Sequence, residues 1–371
     1  MVRTGTAVLP LHTGKTPRWL FTRMVKLSRG IAEVIIHEYG SKEFLRYVSD
    51  PFWFQAFCCV IGFDWHSSGT TTTACGALKE ALDPEIHGLC VVGGKGRASR
   101  RVVEEINKAL DVVPLSDNCV SQLVRASRLS AKVDSSCVQD GYTLYHHTLL
   151  FTDTGDWAVV QQGMKPPYAR RYHWLSDRVQ SFVEEPHTGI CCEKRGKTLD
   201  LTSKTSEEAR RISLDLVRDG PKRLRRYLRP GGQALLTDFG FGGSQMELRL
   251  PSRHQVLRID LSERSWKTLE KAYELQPERY EDLVALRGMG AKSLRALALV
   301  SSLVYGAPLS WKDPAKYSFA HGGKDRHPYP VDRKTYDHTI QTLRDAIEEA
   351  RAGKREKLDA LKRLSWYVEQ V

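Results

Sequence analysis

The sequence predicts an α+β fold, in which a mixed α/β N-terminal domain over residues 1–200 is followed by an all-α domain over residues 201–371. Two observations support this prediction. A chain of 371 residues is longer than one ordinary hydrophobic core supports. The first part also mixes short apolar runs with helical periodicity, whereas the apolar spacing after residue 200 is mainly that of helices. The change of character places the boundary near residue 200.

In the N-terminal part, residues 18–38 have the apolar spacing of a helix. Residues 58–63 and 89–92 are short apolar runs that end in loop signals, which predicts two buried strands. Residues 144–151 and 157–162 are apolar runs separated by TDTGD, a composition typical of a turn, and we expect them to form a β-hairpin.

The C-terminal part begins with a basic amphipathic helix predicted over residues 206–228. Two glycine-rich loops follow, at residues 230–232 and 238–243. The last segment, residues 333–370, is again helical in pattern and heavily charged.

The charge balance favours a polyanionic partner. The chain carries 56 Lys and Arg against 44 Asp and Glu, a formal net charge of +12, and part of the excess lies in the run KRLRR at residues 222–226. The alternative is a soluble protein that is basic without a nucleic-acid partner.

The N-terminus has no secretory-signal pattern, and no stretch approaches 18 uncharged apolar residues, so we expect a soluble cytoplasmic protein without a membrane partner. The eight cysteines form no Cys-x-x-Cys pair, which argues against a zinc ribbon and a disulfide framework. Most are expected to be small buried residues.

Residues 286–293, LRGMGAKS, form the most informative motif. Helical patterns flank it at 277–286 and 293–305, Gly288 and Gly290 can adopt positive φ, and Ser293 is placed to cap the second helix. Backbone amides at such a turn form an anion site that the helix dipole strengthens. The segment of about residues 278–306 resembles the helix-hairpin-helix motif, which implies contact with duplex DNA backbone, Arg295 included.

Lys292 opens the second helix of this motif. In the helix-hairpin-helix DNA glycosylases that also act as lyases, which this segment resembles, a lysine at this place attacks the sugar and a downstream aspartate assists it. Asp332 in PVDRK stands in the corresponding segment. The resemblance therefore implies Lys292 and Asp332 as catalytic residues. The alternative is a non-catalytic backbone clamp in which Lys292 contacts phosphate.

Three further segments are candidate ligand sites. The loop that contains His321 and Lys324 is rich in glycine and polar residues, as loops that face a ligand are. Lys95 and Arg97 lie in a glycine loop between a predicted strand and a helix, an arrangement that binds phosphate but lacks the spacing of an ATP or NAD site. The third segment interleaves basic and aromatic residues, which predicts a surface for single-stranded nucleic acid; its members are Arg170, Arg171, Tyr172 and Trp174.

Asp64 and His66 are weak candidate metal ligands, since two residues at i and i+2 are a limited signal and helix capping explains the hydroxyls beside them. A metal-dependent nuclease with its site in the N-terminal domain is a second hypothesis, and it alone would require a divalent metal. No cofactor is otherwise indicated. The Glu-x-Lys element of such nucleases is absent from the second strand of the predicted β-hairpin.

Several long segments, among them DPFWFQAFCCVIGFDWHSSGTTTT, DGYTLYHHTLLFTDTGDWAVVQQGM and FAHGGKDRHPYPVDRKTYD, resemble an archaeal and bacterial family known as domain of unknown function number 763. That resemblance covers nearly the whole chain and implies no function. The sequence as a whole favours a DNA-binding protein that is a repair enzyme of the glycosylase/AP-lyase type. A metal-dependent nuclease and a non-enzymatic DNA or RNA binder are the alternatives.

Overall fold

The computed structural model describes residues 16–62, 69–192, 195–227, 261–315, 333–350 and 353–370. The strands in these residues are β1 (Leu89–Lys95), β2 (Val138–Gln139), β3 (Thr143–Thr152), β4 (Trp157–Lys165), β5 (Tyr168–Leu175), β6 (Gly189–Cys191) and β7 (Leu199–Asp200). Five of them form an antiparallel sheet in the order β1-β3-β4-β5-β6, and β2 pairs separately with β7.

The predicted β-hairpin is confirmed as β3 and β4, with Phe151 opposite Trp157. Its turn closes where the amide of Thr152 donates to the carbonyl of Asp156 at 2.9 Å. Gly155 has φ +86° in this turn, a value that favours glycine.

Both faces of the sheet are buried, because alternate residues of each strand enter different hydrophobic clusters. Leu150, Val160 and Leu175 join the first cluster. Leu149, Val159 and Trp174 join the second. Strands covered on both sides need apolar or satisfied polar side chains on both. The polar residues His147, Gln161 and Arg170 in the covered parts of β3, β4 and β5 are accordingly buried.

Helices from both ends of the chain cover the first face. They are α1 (Arg18–Tyr39), α2 (Ser41–Ser49), α3 (Pro51–Ile61), α4 (Gly69–Ala81), α13 (Arg333–Glu349) and α14 (Lys354–Gln370). Ile347 and Leu364 of the last two helices lie in the same cluster as Phe57 of α3. The guanidinium of Arg363 also donates to the carbonyl of Val60 at 2.8 Å. The helices predicted over residues 18–38 and 333–370 are thus confirmed.

The strand predicted over residues 58–63 is wrong: residues 58–61 belong to α3. The Asp50 carboxylate accepts hydrogen bonds from the amides of Phe52 and Trp53, and Pro51 is the first helical residue, so a strong helix start precedes the run. The helix is buried almost all round, and an apolar run without periodicity fits a buried helix as well as a strand.

The second face is covered mainly by α6 (Val102–Ala109), α7 (Asp117–Ser136), α8 (Glu207–Arg218), α10 (Glu263–Leu275), α11 (Tyr280–Ala285) and α12 (Ala291–Tyr305). Two shorter helices are α5 (Pro84–His87) and α9 (Pro221–Tyr227). The helix predicted over residues 206–228 is divided into α8 and α9 at Gly220, which has φ +97°.

The hydrophobic packing does not divide at residue 200 in the described ranges. The second cluster contains Leu129 and Val159 from before that position and Leu216, Leu283 and Leu297 from after it. In the described residues after residue 200, the regular elements are helices, and Ser310 forms an isolated bridge with Asp200 of β7. Seven of the eight cysteines are buried, which agrees with the expectation that most of them are small buried residues.

Candidate nucleic-acid interface

The segment Leu286–Gly290, here called the glycine turn, joins α11 to α12. Gly288 has φ +97°, and a Cβ atom at this position would lie 2.7 Å from Oγ1 of Thr268 on α10. Glycine is therefore required at residue 288 by both its backbone conformation and the close approach of α10.

The expectation that Gly290 also adopts positive φ is wrong. Its φ of −137° and ψ of 179° are extended, because the chain reverses at Gly288 and then runs straight into α12. A Cβ at Gly290 would meet no atom nearer than the Gly288 carbonyl oxygen at 3.9 Å. Other side chains can therefore be accommodated here, which makes Gly290 a useful position for testing the turn.

Carbonyl groups of the glycine turn face inward, toward α7. Nζ of Lys132 donates to the carbonyl of Leu286 at 3.2 Å and also to that of Met289. Nε2 of Gln139 donates to the carbonyl of Ala291 at 2.9 Å. Burial lowers the pKa of Lys132. These contacts hold the turn in one orientation against the N-terminal half of the chain.

The amide end of α12 has no side-chain cap. Gly290 is its N-cap residue and carries no capping hydrogen bond from a side chain. The first amides of a helix have no acceptor within the helix, so they are available to an anion. Arg287, Gly288 and Lys292 are all exposed beside this helix end.

Ser293 is not the cap that the sequence indicates. It is the third residue of α12 and is buried, because the helix begins two residues earlier, at Ala291. Arg295 is half-buried, and its Nε donates to Oε1 of Gln139 at 2.6 Å. Burial lowers the pKa of Arg295. This contact makes Arg295 part of the support beneath the glycine turn.

Lys292 is the exposed second residue of α12. Its suggested partner Asp332 lies outside the described residues, as do His321 and Lys324 of the polar loop. The catalytic role of Asp332 and the DNA contacts of His321 and Lys324 stay predictions.

The Lys95–Arg97 loop follows β1 and leads through a 3-10 turn at Ala98–Arg100 into α6, as the strand-loop-helix pattern predicts. Lys95 and Arg97 are exposed. The amide of Gly93 donates to Oε2 of Glu105 at 2.7 Å, and Lys79 contacts the same oxygen at 2.6 Å. The Glu105 carboxylate thus occupies the strand end of this loop. Lys95 and Arg97 remain as the groups of the loop that can contact an external anion.

The predicted single-strand surface is wrong, because all four of its side chains are buried in β5. Arg170 is 1% exposed and pairs with Asp140 at 2.8 Å and Asp313 at 2.7 Å. The hydroxyl of Tyr172 donates to Asp140 at 2.7 Å. The other two members also have interior partners: Arg171 donates to Gln55 at 3.1 Å, and the indole of Trp174 to Asp134 at 3.1 Å.

A buried polar chain on the α7 side of the sheet was not identified from the sequence. Ser127 Oγ and His147 Nε2 are 2.9 Å apart, and His147 Nδ1 lies 2.9 Å from Gln161 Oε1. Gln161 Nε2 then donates to Asp134 at 2.6 Å, and His187 lies 2.5 Å from the same carboxylate. The available signal was the placement of His146-His147 and Gln161-Gln162 in strands that are otherwise apolar.

Within the described residues, no group of three or more His, Cys, Asp or Glu side chains is arranged to hold a metal ion. Asp64 and His66 fall outside those residues. Asp140, an acid of the N-terminal half, is already bound by Arg170 and Tyr172.

Comparison with known proteins places the chain in a family. The model of the family described as protein of unknown function (DUF763) matches residues 5–331. The chain belongs to the DUF763 family. Neither the curated proteins nor the solved structures yield a match. In the described part of the chain, no helix is both long and apolar enough to cross a membrane.

Proposed function

We propose that this DUF763 protein binds the phosphate backbone of DNA through the glycine turn and the first residues of α12. The observation that carries the proposal is the orientation of the turn. Lys132 binds carbonyls of the turn and Gln139 binds the carbonyl of Ala291 in α12, while Arg287 and Lys292 are exposed beside the uncapped start of this helix. An anion there meets amides, a helix dipole and two cations together.

Phosphate is the group in DNA that such a site recognises, and phosphate contacts carry no sequence information. Binding is therefore expected to be largely independent of sequence. Further exposed cations lie on α10, the helix that packs under Gly288, namely Arg264, Lys267 and Lys271. Together with the net charge of +12, they provide a long-range attraction for a polyanion.

Gly290 offers the sharpest test. Asp and Asn are both favourable N-cap residues, so Gly290→Asp and Gly290→Asn should each keep or raise thermal stability, by a few tenths of a kcal/mol. Only Gly290→Asp places a negative charge where the phosphate is proposed to lie. We expect duplex affinity, measured by fluorescence anisotropy, to fall at least about tenfold in Gly290→Asp relative to Gly290→Asn, the equivalent of about 1.4 kcal/mol. Equal affinities would place the DNA contact elsewhere.

An enzymatic activity at the same site is proposed through Lys292, whose exposed position beside the phosphate site favours it. In base excision with strand scission, its amine would attack the anomeric carbon of an abasic sugar. The bond from that carbon to its hydroxyl oxygen breaks, water leaves and an imine forms, with Asp332 assisting. Borohydride should then trap a covalent complex that Lys292→Ala abolishes and Asp332→Asn slows.

Gel electrophoresis of the same reaction distinguishes the alternative functions. Trapping that persists in Lys292→Ala would remove this lysine from the chemistry. Cutting without trapping that EDTA stops would indicate the metal-dependent nuclease, and a mobility shift without cutting would indicate a non-enzymatic binder.

A further inference from the structure

A cleft of about 470 Å³ lies between the 3-10 turn Ala98–Arg100, α7 and β3. Ser127, His147 and Gln161 contribute to its lining. Arg100 and Arg128, which also line it, are exposed, so the opening of the cleft carries two positive charges. The glycine turn lies outside this lining.

Hydrogen bonding fixes the protons along the buried polar chain. The Asp134 carboxylate receives the indole N–H of Trp174, which can only donate, and the side-chain N–H of Gln161. Gln161 consequently presents its oxygen to His147, so Nδ1 of His147 must carry the proton. Nε2 of His147 is then left with a lone pair, and it accepts the hydroxyl proton of Ser127 across 2.9 Å.

This arrangement matches what an activated serine requires. The hydroxyl donates to a neutral imidazole, a third group holds that imidazole in one tautomer, and the serine is among the residues that line a cleft. Burial lowers the pKa of His147, with smaller opposing effects from Gln161 and Asp134, which keeps the ring neutral at physiological pH. In this buried polar chain, Gln161 and Asp134 are positioning residues.

We propose that the cleft is a phosphoryl-transfer site in which Ser127 is the nucleophile, His147 the general base, and a phosphate ester the substrate. Arg100 and Arg128 are the groups that would attract the anionic ester and stabilise the charge on its equatorial oxygens. A carboxylic ester would have no use for two cations at the opening.

Hydrolysis of the phosphate ester proceeds in two steps. Oγ of Ser127 bonds to phosphorus as its proton passes to Nε2 of His147. The bond from phosphorus to the leaving oxygen breaks, and His147 returns the proton to that oxygen. Water then attacks the phosphoserine, His147 takes one of its protons, and the bond from phosphorus to Oγ breaks as Oγ recovers a proton. Water is the only co-reactant.

The cleft and the glycine turn lie against neighbouring faces of α7. Ser127, Arg128 and Ala131 face the cleft, whereas Arg125 and Lys132 contact the segment of residues 281–289. At 3.6 residues per turn these two faces are about 100° apart around the helix. The phosphoryl-transfer proposal does not depend on DNA binding, and its tests use small molecules.

A fluorophosphonate probe tests the nucleophile directly, because attack by serine forms a stable phosphonyl ester and releases fluoride. We expect mass spectrometry of the full-length protein to locate the label on Ser127. Ser127→Ala should lose that label. Ser130→Ala should retain it. Ser130 is also buried on α7, but its hydroxyl donates to the backbone carbonyl of Ser127 at 3.2 Å and it is not among the residues that line the cleft. No labelling of the parent protein, or labelling only at other residues, would overturn the proposal.

General-base assistance by His147 is tested by the rate of labelling with the probe. His147→Gln should slow labelling by about 100-fold or more. The parent rate should be level from pH 8 to pH 6.5, because His147 is already neutral there, and should fall only at lower pH. A rate that keeps rising from pH 7 to pH 9 would show an unassisted hydroxyl and contradict the role of His147.

Turnover is measured with bis(4-nitrophenyl) phosphate in the presence of EDTA, by release of nitrophenolate. Release that Ser127→Ala abolishes and Ser130→Ala keeps within about twofold supports hydrolysis through Ser127, since losing the nucleophile removes far more than that. Release that Ser127→Ala leaves unchanged would assign the hydrolysis to another group and overturn the catalytic part of the proposal.

Discussion

The glycine turn and strand β5 both have sequences typical of nucleic-acid contact, yet the structure places them in opposite environments. The turn is exposed at Arg287, Gly288 and Lys292. Arg170, Arg171, Tyr172 and Trp174 of β5 are buried and bound to acids and an amide within the protein. A motif defined by backbone conformation, such as the reversal at Gly288, can be located from the residues that form it. A motif defined by side-chain type depends on whether another element covers it.

The largest expected effect comes from the buried strand. Arg170→Met leaves Asp140 and Asp313 without their shared cation in the interior. We expect the free energy of unfolding in urea to fall by about 3–5 kcal/mol. The exposed Lys292→Met is the matched control and should change it by no more than about 0.5 kcal/mol. Similar small losses for both would mean that the Arg170 cluster is not structurally important.

Acid should weaken the buried region while leaving the exposed turn intact. Burial lowers the pKa of His146 to about 3 from 6.5, with smaller effects of His147 and Lys95 in the same direction. Below pH 6.5 the unfolded chain therefore binds a proton that the folded chain does not. Stability is full above pH 6.5 and is lost as the pH falls toward 3, by about 1.4 kcal/mol per pH unit for this residue.

Urea unfolding between pH 6.5 and pH 5 measures this loss, which should be about 2 kcal/mol from His146 alone. His146→Gln should reduce the pH slope by about one proton. Burial also lowers the pKa values of His147 and His173, so part of the slope should remain in the variant. An unchanged slope would show that His146 does not titrate in this way.

The smallest effect on stability, and the clearest on binding, is expected at the turn. The double variant Arg287→Ala/Lys292→Ala should lower the slope of log affinity against log salt by about 2, because each phosphate contact contributes nearly one unit. Its unfolding free energy should stay within about 0.5 kcal/mol of the parent.

Lys26→Ala/Arg355→Ala removes the same charge from exposed positions on helices that cover the other face of the sheet, α1 and α14. This control should keep the parent slope. Equal slopes in both double variants would indicate a general charge effect in place of a phosphate contact at the turn. Full affinity retained in about 0.5 M salt would contradict backbone binding by either route.

Much of the local structure could be predicted from the sequence. The β3–β4 hairpin follows from two apolar runs around TDTGD, and the reversal at Gly288 follows from a residue able to adopt positive φ. Local patterns failed where a signal was ambiguous. The run at residues 58–63 fits a strand or a buried helix, and only the start at Asp50 and Pro51 distinguishes them. At Ser293, a shift of two residues in the helix start turned an expected cap into a buried side chain.

The sequence by itself determined the first helix, the helical C-terminal segment, the turn between β3 and β4 and the position of the glycine turn, because each depends on residues close together in the chain. Only the tertiary structure decided which polar residues face solvent. Covering β5 on both faces brings Arg170 to Asp313, and packing α7 on the sheet brings Ser127 to His147 and Gln161 to Asp134. These partners lie 143, 20 and 27 residues apart. Their pairing is enforced by the cost of leaving a polar group unsatisfied in the interior, a cost that exists only once the chain has folded.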